Sequence, residues 1–541
     1  MFSSKERTQL LQQMDGELYD VVVIGGGITG AGVALDAVTR GLKVALVDMQ
    51  DFAEGTSSRS TKLVHGGLRY LKQAQIKEVA ELGRERAVVY ENAPHVTTPL
   101  WMLLPFYTDG TFDKATTALG LTVYDYLAGV KRKERKMMLS SDEVLARVPT
   151  LKKDGLVGGG MYVEYRTDDA RLTIEVLKAA VMRGVQAVNY AKAVAIDEKN
   201  IAFTAVTIAD CLTDATYKLK AKRVINAAGP WVDEVRSFVE KVEGKHLVLT
   251  KGVHVVIDAA HFPLQQPVYF DHSDGRMIFA IPRDNKVYVG TTDTFYNGDA
   301  TKLVVDPEDR AYLLAAIQYM FPDAHVVDAH IESTWAGVRP LIHEEGKSPS
   351  DISRKDEIWR TSETVITIAG GKLTGYRKMA QKVVDVLVKD LEQQSAKRYG
   401  RCVTKHLPLS GGDLSGSRFF EQYVNTWTER GVTYGYSEEE SERLVRMYGT
   451  NVEQVMSCGA EAGELPRALY AALRYSIEYE MTMTPADFFV RRTGMIYFDL
   501  PAVERYKEAV LHVMAEQLHY SDEDKEAHRL TLEAAIIVAK A

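Results

Sequence analysis

The sequence predicts an α/β protein with an all-helical C-terminal part. Three observations carry that prediction: a strand–turn–helix–strand unit at residues 20–48, short strands mixed with helical periodicity through 80–370, and near-continuous helical patterning after 400. The 541 residues suffice for three or four folding units at about 150 residues each. With 66 Lys/Arg against 74 Asp/Glu, the formal charge is −8, and 46% of residues are hydrophobic and 26% charged. This is ordinary globular usage, which argues against disorder, collagen or a coiled coil, and no nucleic-acid partner is expected. Cys211, Cys402 and Cys458 form no C-x-x-C pair, so a reducing, cytoplasmic setting is expected. Met1 to Asp20 has no apolar h-region and no run of 18 apolar residues exists, so neither a secretory signal nor a spanning helix is expected.

Taken in order, residues 5–18 read as a short, mostly polar helix. Val21-Val22-Val23-Ile24 is a β-branched run broken by Gly25-Gly26-Gly27. Ile28, Ala31, Val33, Ala34, Leu35 and Val38 give residues 28–40 an apolar helix face, and Val44 to Val47 is a second buried strand ending at Asp48. The unit is βαβ, expected parallel and right-handed. Through the middle, Ile76 to Tyr90 and Asp309 to Phe321 have helical spacing. Arg223 to Ala227, Val253 to Ile257, Met277 to Ile281, Lys286 to Val289 and Val365 to Ile368 read as strands. Segment 405–416 reads as a linker, and Ser437-Glu438-Glu439-Glu440 as a capping box. After residue 400 there are 15 Lys/Arg and 22 Asp/Glu, a charge of −7 against −1 for the rest; a solvated surface accounts for it.

Gly25-x-Gly27-x-x-Gly30 lies between strand and helix, and Asp48 follows Gly30 by 18 residues. Gly25 allows the tight turn, Gly27 lets the backbone approach a pyrophosphate, and Gly30 lets helix and strand pack closely. The helix N-terminus at Ile28 and Thr29 offers N–H groups to phosphate, and Asp48 would accept ribose hydroxyls. NAD and FAD share this fingerprint. The next segment, DFAEGTSSRSTKLVHGGLRY, is dense in hydroxyls, cations and glycines. Thr56, Ser57, Ser58, Thr61, Lys62, His65, Gly66 and Gly67 suit a backbone wrapped along a second phosphate and a flat ring. Two later strands also end in small residues, one at Gly229 and one at Gly371-Lys372-Leu373-Thr374. The second opens a helix whose N-terminus could face a flavin's pyrimidine edge. Together they fit a dinucleotide lying extended through one domain.

GGGITGAG, TSSRSTKLVHGGLRYL, NAAGPWVD, GTTDT, GVRPL and GGKLTGYRK resemble the FAD-dependent glycerol-3-phosphate dehydrogenases of the bacterial aerobic type. The similarity runs over residues 15–400, and Asp487 to Thr493 resembles the same family's C-terminal helical domain. The resemblance implies FAD as cofactor, in a glutathione-reductase-type (Rossmann-like) FAD domain interleaved with a sheet-containing substrate domain like that of D-amino-acid oxidase. The expected division is residues 1–80 with parts of 150–235 and 335–400 for FAD, 81–150 and 236–334 for substrate, and 401–541 for the helical domain. It further implies oxidation of sn-glycerol 3-phosphate to dihydroxyacetone phosphate, with electrons passing to membrane quinone. Peripheral attachment at the inner face of the cell membrane follows from that acceptor; helix 5–18, Trp101 to Phe106 and Lys131 to Lys136 are the candidate surfaces. A homodimer stays open. Asp48 stands where many flavoproteins have Glu.

Such a reaction needs a cationic phosphate clamp, a base and the flavin face. Arg339, Lys372 and Arg354 are the clamp candidates, with Arg69 and Tyr70 placed in the pocket by resemblance. A histidine suits the base; His65 is favoured over His254, which is also readable as a core histidine. No metal-ligand spacing and no nucleophile elbow is present. The alternatives are an amine or amino-acid oxidase of the glycine or D-amino-acid type, an oxygen-using glycerol-3-phosphate oxidase, and a non-catalytic flavin-bound scaffold.

Overall fold

The computed structural model describes residues 2–65, 76–111, 120, 135–343 and 356–540. Among these, the chain builds two mixed sheets and a C-terminal helical domain. In the first sheet the strand Leu18–Ile24 sits between Thr216–Asn226 and Val44–Val47, parallel to both. Val365–Ala369 extends the sheet in parallel beyond Thr216–Asn226, and Gln186–Val188 beyond Val44–Val47. Val21, Val22 and Val23 are fully buried, as are Val44, Ala45 and Leu46. A parallel strand covered on both faces reads as a continuous apolar run, which is why these short segments were recognisable. Parallel strands also bring their C-terminal ends to one edge. Ile24, Val47, Asn226 and Ala369 thus deliver their following loops to the same side.

The helix Ile28–Thr39 packs on this sheet at the closest range. Gly25 has φ +111°, and a Cβ on Gly30 would overlap the Gly25 carbonyl oxygen, so both positions require glycine. The helix Tyr376–Gln394 crosses the other side of Ile28–Thr39, with Tyr376 and Ala380 against Gly32.

The second sheet is largely antiparallel. Its longest pairings are Thr97–Tyr107 with Leu156–Thr167 and Leu247–Asp258 with Ile331–Ile342. Leu63–Val64 joins it through Tyr165 and Arg166. Leu63–Val64, Leu156–Thr167 and Ile331–Ile342 all pair in the second sheet, so the chain passes between the two sheets several times. Apolar patterning announces a strand but not its partner, and these segments differ only in what they pair with.

In the helical domain the expected capping box opens the helix Glu438–Tyr448, which follows Phe420–Thr433: Glu440 N donates to Ser437 Oγ and Ser437 N donates to Glu440 Oε2 (3.2 and 2.9 Å). Its core holds Val445, Tyr448, Val455, Leu473 and Phe489. The expected linker is in fact laid tightly on the first unit. Leu409 to Gly412 are buried, and Leu409 N donates to the Asn92 carbonyl at 2.9 Å. Its glycines serve close approach, since a Cβ on Gly411 would lie 2.6 Å from the Tyr448 carbonyl oxygen.

Of the candidate membrane surfaces, the N-terminal helix buries its apolar face and exposes Thr8, Gln9, Gln12 and Gln13, and the stretch Trp101 to Phe106 is largely interior. The helix near the N-terminus spans Arg7–Met14 and buries Arg7, Leu11 and Met14; Arg7 Nη2 pairs with Asp210 Oδ1 at 2.7 Å. Met102, Leu103, Leu104 and Phe106 are buried strand residues. Lys131 to Glu134, most of the third candidate surface, lie outside the described residues. No helix among those described is long and apolar enough to cross a membrane.

Candidate active site

A cleft of about 570 Å³ opens where the C-terminal ends of the parallel strands face the second sheet, the position expected for a ligand in such a sheet. One end is the fingerprint. Gly25, Gly27, Ile28 and Thr29 line it, and Ser57 Oγ accepts from Ile28 N at 2.9 Å. A Cβ on Gly27 would lie 3.0 Å from that hydroxyl, so glycine leaves the helix N-terminus open to a phosphate. Asp48 lines the same end. Its oxygens accept from Gly26 N at 2.5 Å and Gln50 N at 2.9 Å. Burial, reinforced by the charges of Glu54 and Asp51, nevertheless pushes the Asp48 carboxyl up to about 7.

The other end carries positive charge. Arg339, on the strand Ile331–Ile342, and Lys372, beside the turn into Tyr376–Gln394, both line the cleft. Arg339 Nη1 pairs with Asp293 Oδ1 at 3.2 Å and Nη2 donates to Thr291 Oγ1 at 3.3 Å. A Cβ on Gly252 would lie 2.6 Å from Arg339 Nη2, so glycine makes the space this guanidinium occupies. Gly252, Thr291 and Asp293 were not singled out from sequence as site residues. The GTTDT run marked two of them only as a motif; nothing local ties them to Arg339.

Between the ends, Thr56, Thr61, His65, Gly229, Gly371, Leu373 and Thr374 also line the cleft. Thr56 Oγ1 donates to the Val338 carbonyl at 2.7 Å, tying the loop to the opposite sheet. Thr374 Oγ1 both accepts from His65 N and donates to the His65 carbonyl, each at 3.0 Å. The His65 backbone is therefore held from the strand-to-helix turn at Lys372 to Thr374. Phe279 packs edge-on to the His65 ring at 6.1 Å between centroids.

Gly30 lies beneath the turn as the packing residue its place in the fingerprint implies. Three expected contacts fall elsewhere. Ser58 is buried, with its carbonyl accepting from Lys62 Nζ at 3.1 Å. Lys62 faces away from the cleft and pairs with Asp169 Oδ1 at 2.6 Å, 3% exposed; a cation so desolvated needs that carboxylate more than a phosphate. His254 stacks on Trp335 at 4.6 Å, and its Nε2 lies 3.0 Å from Thr61 Oγ1. Burial, with the nearby charges of Arg339 and Lys62, holds its pKa well below the ordinary histidine value. Its ring is a neutral core group rather than a base at the cleft surface. Gly66, Gly67, Arg69, Tyr70 and Arg354 lie outside the described residues. No group of three or more potential metal ligands is present among the described residues.

The donor set fits FAD: a helix N-terminus and ribose carboxylate at one end, and a strand-to-helix turn with positive charge at the other. The comparisons agree. The family model described as "FAD dependent oxidoreductase" matches residues 20–367. The model for the C-terminal domain of alpha-glycerophosphate oxidase matches 402–525. An aerobic glycerol-3-phosphate dehydrogenase of Staphylococcus haemolyticus is 56% identical over 540 residues, covering 99% of this chain and 97% of the relative. One from Bacillus subtilis is 54% identical over 533 residues, covering 97% and 96%. The solved glycerol-3-phosphate dehydrogenase of Bacillus halodurans, complexed with FAD, is 45% identical with a TM-score of 0.86 and covers 100% of this chain and 99% of that one. The chain belongs to the FAD-dependent oxidoreductases and, within them, to the aerobic glycerol-3-phosphate dehydrogenases.

Proposed function

We propose that this protein oxidises sn-glycerol 3-phosphate to dihydroxyacetone phosphate and passes the electrons to a membrane quinone. The observation that carries the reading is a single cleft with a dinucleotide fingerprint at one end and Arg339 and Lys372 at the other. When bound there, FAD supplies the two-electron acceptor, at N5, for the hydride on substrate C2.

The chain's own residues bind and orient. Arg339 takes the phosphate dianion with its planar fork, aimed by Asp293 and Thr291. Lys372 adds a point charge from the turn. By the family resemblance Arg69, Tyr70 and Arg354 join this pocket. His65 takes the proton of the C2 hydroxyl, with Thr374 holding its backbone. Two cations at one end suit a phosphate dianion; a carboxylate substrate of an amine oxidase calls for one.

The absorption spectrum under anaerobic conditions tests the reading. Glycerol 3-phosphate is expected to bleach the flavin band, and glycine is not. Reoxidation by a water-soluble quinone, faster than by oxygen and without stoichiometric peroxide, is expected for the quinone acceptor. Peripheral attachment predicts release from membranes by salt or alkaline wash. A flavin band left unbleached by glycerol 3-phosphate would overturn the substrate assignment.

A further inference from the structure

The helical domain reaches the cofactor cleft through a buried ionic network. Asp48 and Glu54 both line the cleft at the fingerprint end. Asp51, between them, is fully buried. Its Oδ2 accepts from Arg491 Nε at 2.5 Å and Arg492 Nη1 at 2.7 Å, and its Oδ1 from Arg492 Nη2 at 2.9 Å and Asn189 Nδ2 at 3.0 Å. Arg491 also lies 3.3 Å from Glu54 Oε2 and 2.7 Å from Asp487 Oδ1. One guanidinium of the C-terminal domain thus bridges the loop carboxylate Asp51, the cleft-lining Glu54 and its own domain.

Phe488–Arg492 is a π-helical turn, with Thr493 N donating to the Phe488 carbonyl at 3.0 Å, and such turns recur at functional positions. The two consecutive arginines reach one carboxylate through their long side chains, Arg491 by Nε and Arg492 by both Nη atoms. The arrangement is also supported behind. Asp487 Oδ2 accepts from Met483 N and Thr484 N, each at 2.9 Å, and Asp487 Oδ1 accepts from Tyr190 OH at 2.6 Å. Arg492 Nη2 donates to the Glu480 carbonyl at 2.9 Å.

We propose that Arg491 and Arg492 are positioning residues of the cofactor site, so that docking of the helical domain and binding of the adenosine half of FAD form one linked equilibrium. The proposal rests on the reading of Asp48 as the ribose carboxylate. Without Arg491, among the described residues, Asp51 keeps only Arg492 and Asn189 and Glu54 keeps only Arg59 at 4.0 Å, so more negative charge stands beside a site that must accept a pyrophosphate. The loop that carries Asp48 also loses one of its ties to the helical domain. The flavin end, built by Arg339 and the Lys372 turn, has no part in this network.

The test uses the full-length chain freed of flavin, titrated calorimetrically with ADP for the adenosine half and with FMN for the flavin half. Arg491→Met is expected to weaken ADP binding by about 30-fold, the lower end of the range for removing one partner of a buried charged pair, while FMN binding stays within about threefold. Arg491→Lys is expected to recover part of the loss. Glu54→Gln leaves both Asp51 pairs intact and serves if Arg491→Met does not fold. It removes a carboxylate beside the pyrophosphate and one of the charges that hold Asp48 up, so it is expected to tighten ADP binding by about three- to tenfold and to leave FMN unchanged. In wild type, FAD loading is expected to slow hydrogen exchange in residues 483–493 as well as in 48–55. ADP affinities unchanged within twofold, parallel losses of ADP and FMN, or exchange in 483–493 indifferent to FAD would each overturn the linkage. A wild-type chain that binds no FAD would instead overturn the cleft assignment beneath it.

Discussion

Asp48 gives the sharpest quantitative test of the cofactor assignment. In the ligand-free cleft its carboxyl is pushed up to about 7 by burial, with Glu54 and Asp51 adding to the effect. Ribose hydroxyls donate hydrogen bonds that favour the ionised form, so the bound state holds Asp48 as a carboxylate. The free protein is therefore about 90% protonated at this site at pH 6 and about 10% at pH 8, while the complex is ionised at both. Proton linkage then makes FAD binding about tenfold tighter at pH 8 than at pH 6, or about 1.4 kcal/mol. At pH 6 binding releases nearly one proton, readable by calorimetry in buffers of different ionisation enthalpy. FAD has no group of its own titrating in this window. Asp48→Asn removes the titration, so its affinity is expected to be lower and nearly flat with pH, weaker by about 1.5–3 kcal/mol at pH 8 for the lost charged acceptor.

The same group has a stability signature of opposite sense. Its folded value lies above the ordinary carboxyl value of about 3.9, so between about pH 4 and 7 the folded, flavin-free protein binds more protons than the unfolded chain. Its contribution therefore favours folding least above pH 7 and improves as pH falls toward 4. Fluorescence titration of the flavin-free protein at pH 6 and 8 decides the matter. Affinity equal within twofold at the two values, or a tenfold slope surviving in Asp48→Asn, would refute Asp48 as the ribose acceptor.

Other outcomes follow from the geometry. Arg339→Lys keeps the charge but loses the planar fork, so KM for glycerol 3-phosphate should rise by about tenfold or more, with a smaller change in kcat. Lys372→Ala should lower kcat/KM by about 2–4 kcal/mol in steady-state assays with a quinone acceptor; a loss under twofold would remove it from the site. Gly30→Ala drives a methyl group into the Gly25 carbonyl, and the purified protein should be colourless. His65→Gln should lower kcat by about 10²–10⁴-fold. His254→Gln should lower thermal stability without moving the pH profile of kcat/KM, and a shifted profile would return His254 to candidacy as the base.

What was legible in the sequence was local. The turn at Gly25 to Gly30, the strand ending at Asp48 and the capping box at Ser437 each need only neighbours within a few residues, so residue type and spacing reveal them. The strand ends at Gly229 and Gly371 were legible for the same reason, and parallel pairing then gathers all four at one edge. Lys62 was read toward the cofactor, and His254 stayed open between base and core histidine, because their neighbourhoods in sequence are rich in cleft residues. The partners that turn them away from the cleft, Asp169 and Trp335, come from distant segments. A cation or imidazole in a motif does not disclose which way its side chain is drawn.

The Asp51 network is the extreme of this. Asp51 and Arg492 are 441 positions apart, and no periodicity relates them. Asp51 opens the segment read for the cofactor, and Arg491 and Arg492 stand in the Asp487 to Thr493 stretch, which was read only for its family resemblance. Yet each would be prohibitively costly to bury alone, since removing one partner of such a pair typically costs about 3–5 kcal/mol. A buried carboxylate held low by two guanidiniums therefore marks a place where neither part of the chain can lose its partner while its own charge stays buried. That place lies three residues from Asp48 and three from Glu54. The proposed linkage thus sets the helical domain behind the Asp48–Glu54 wall of the cofactor cleft, a role that its own sequence, read apart from residues 48–54, gives no means of inferring.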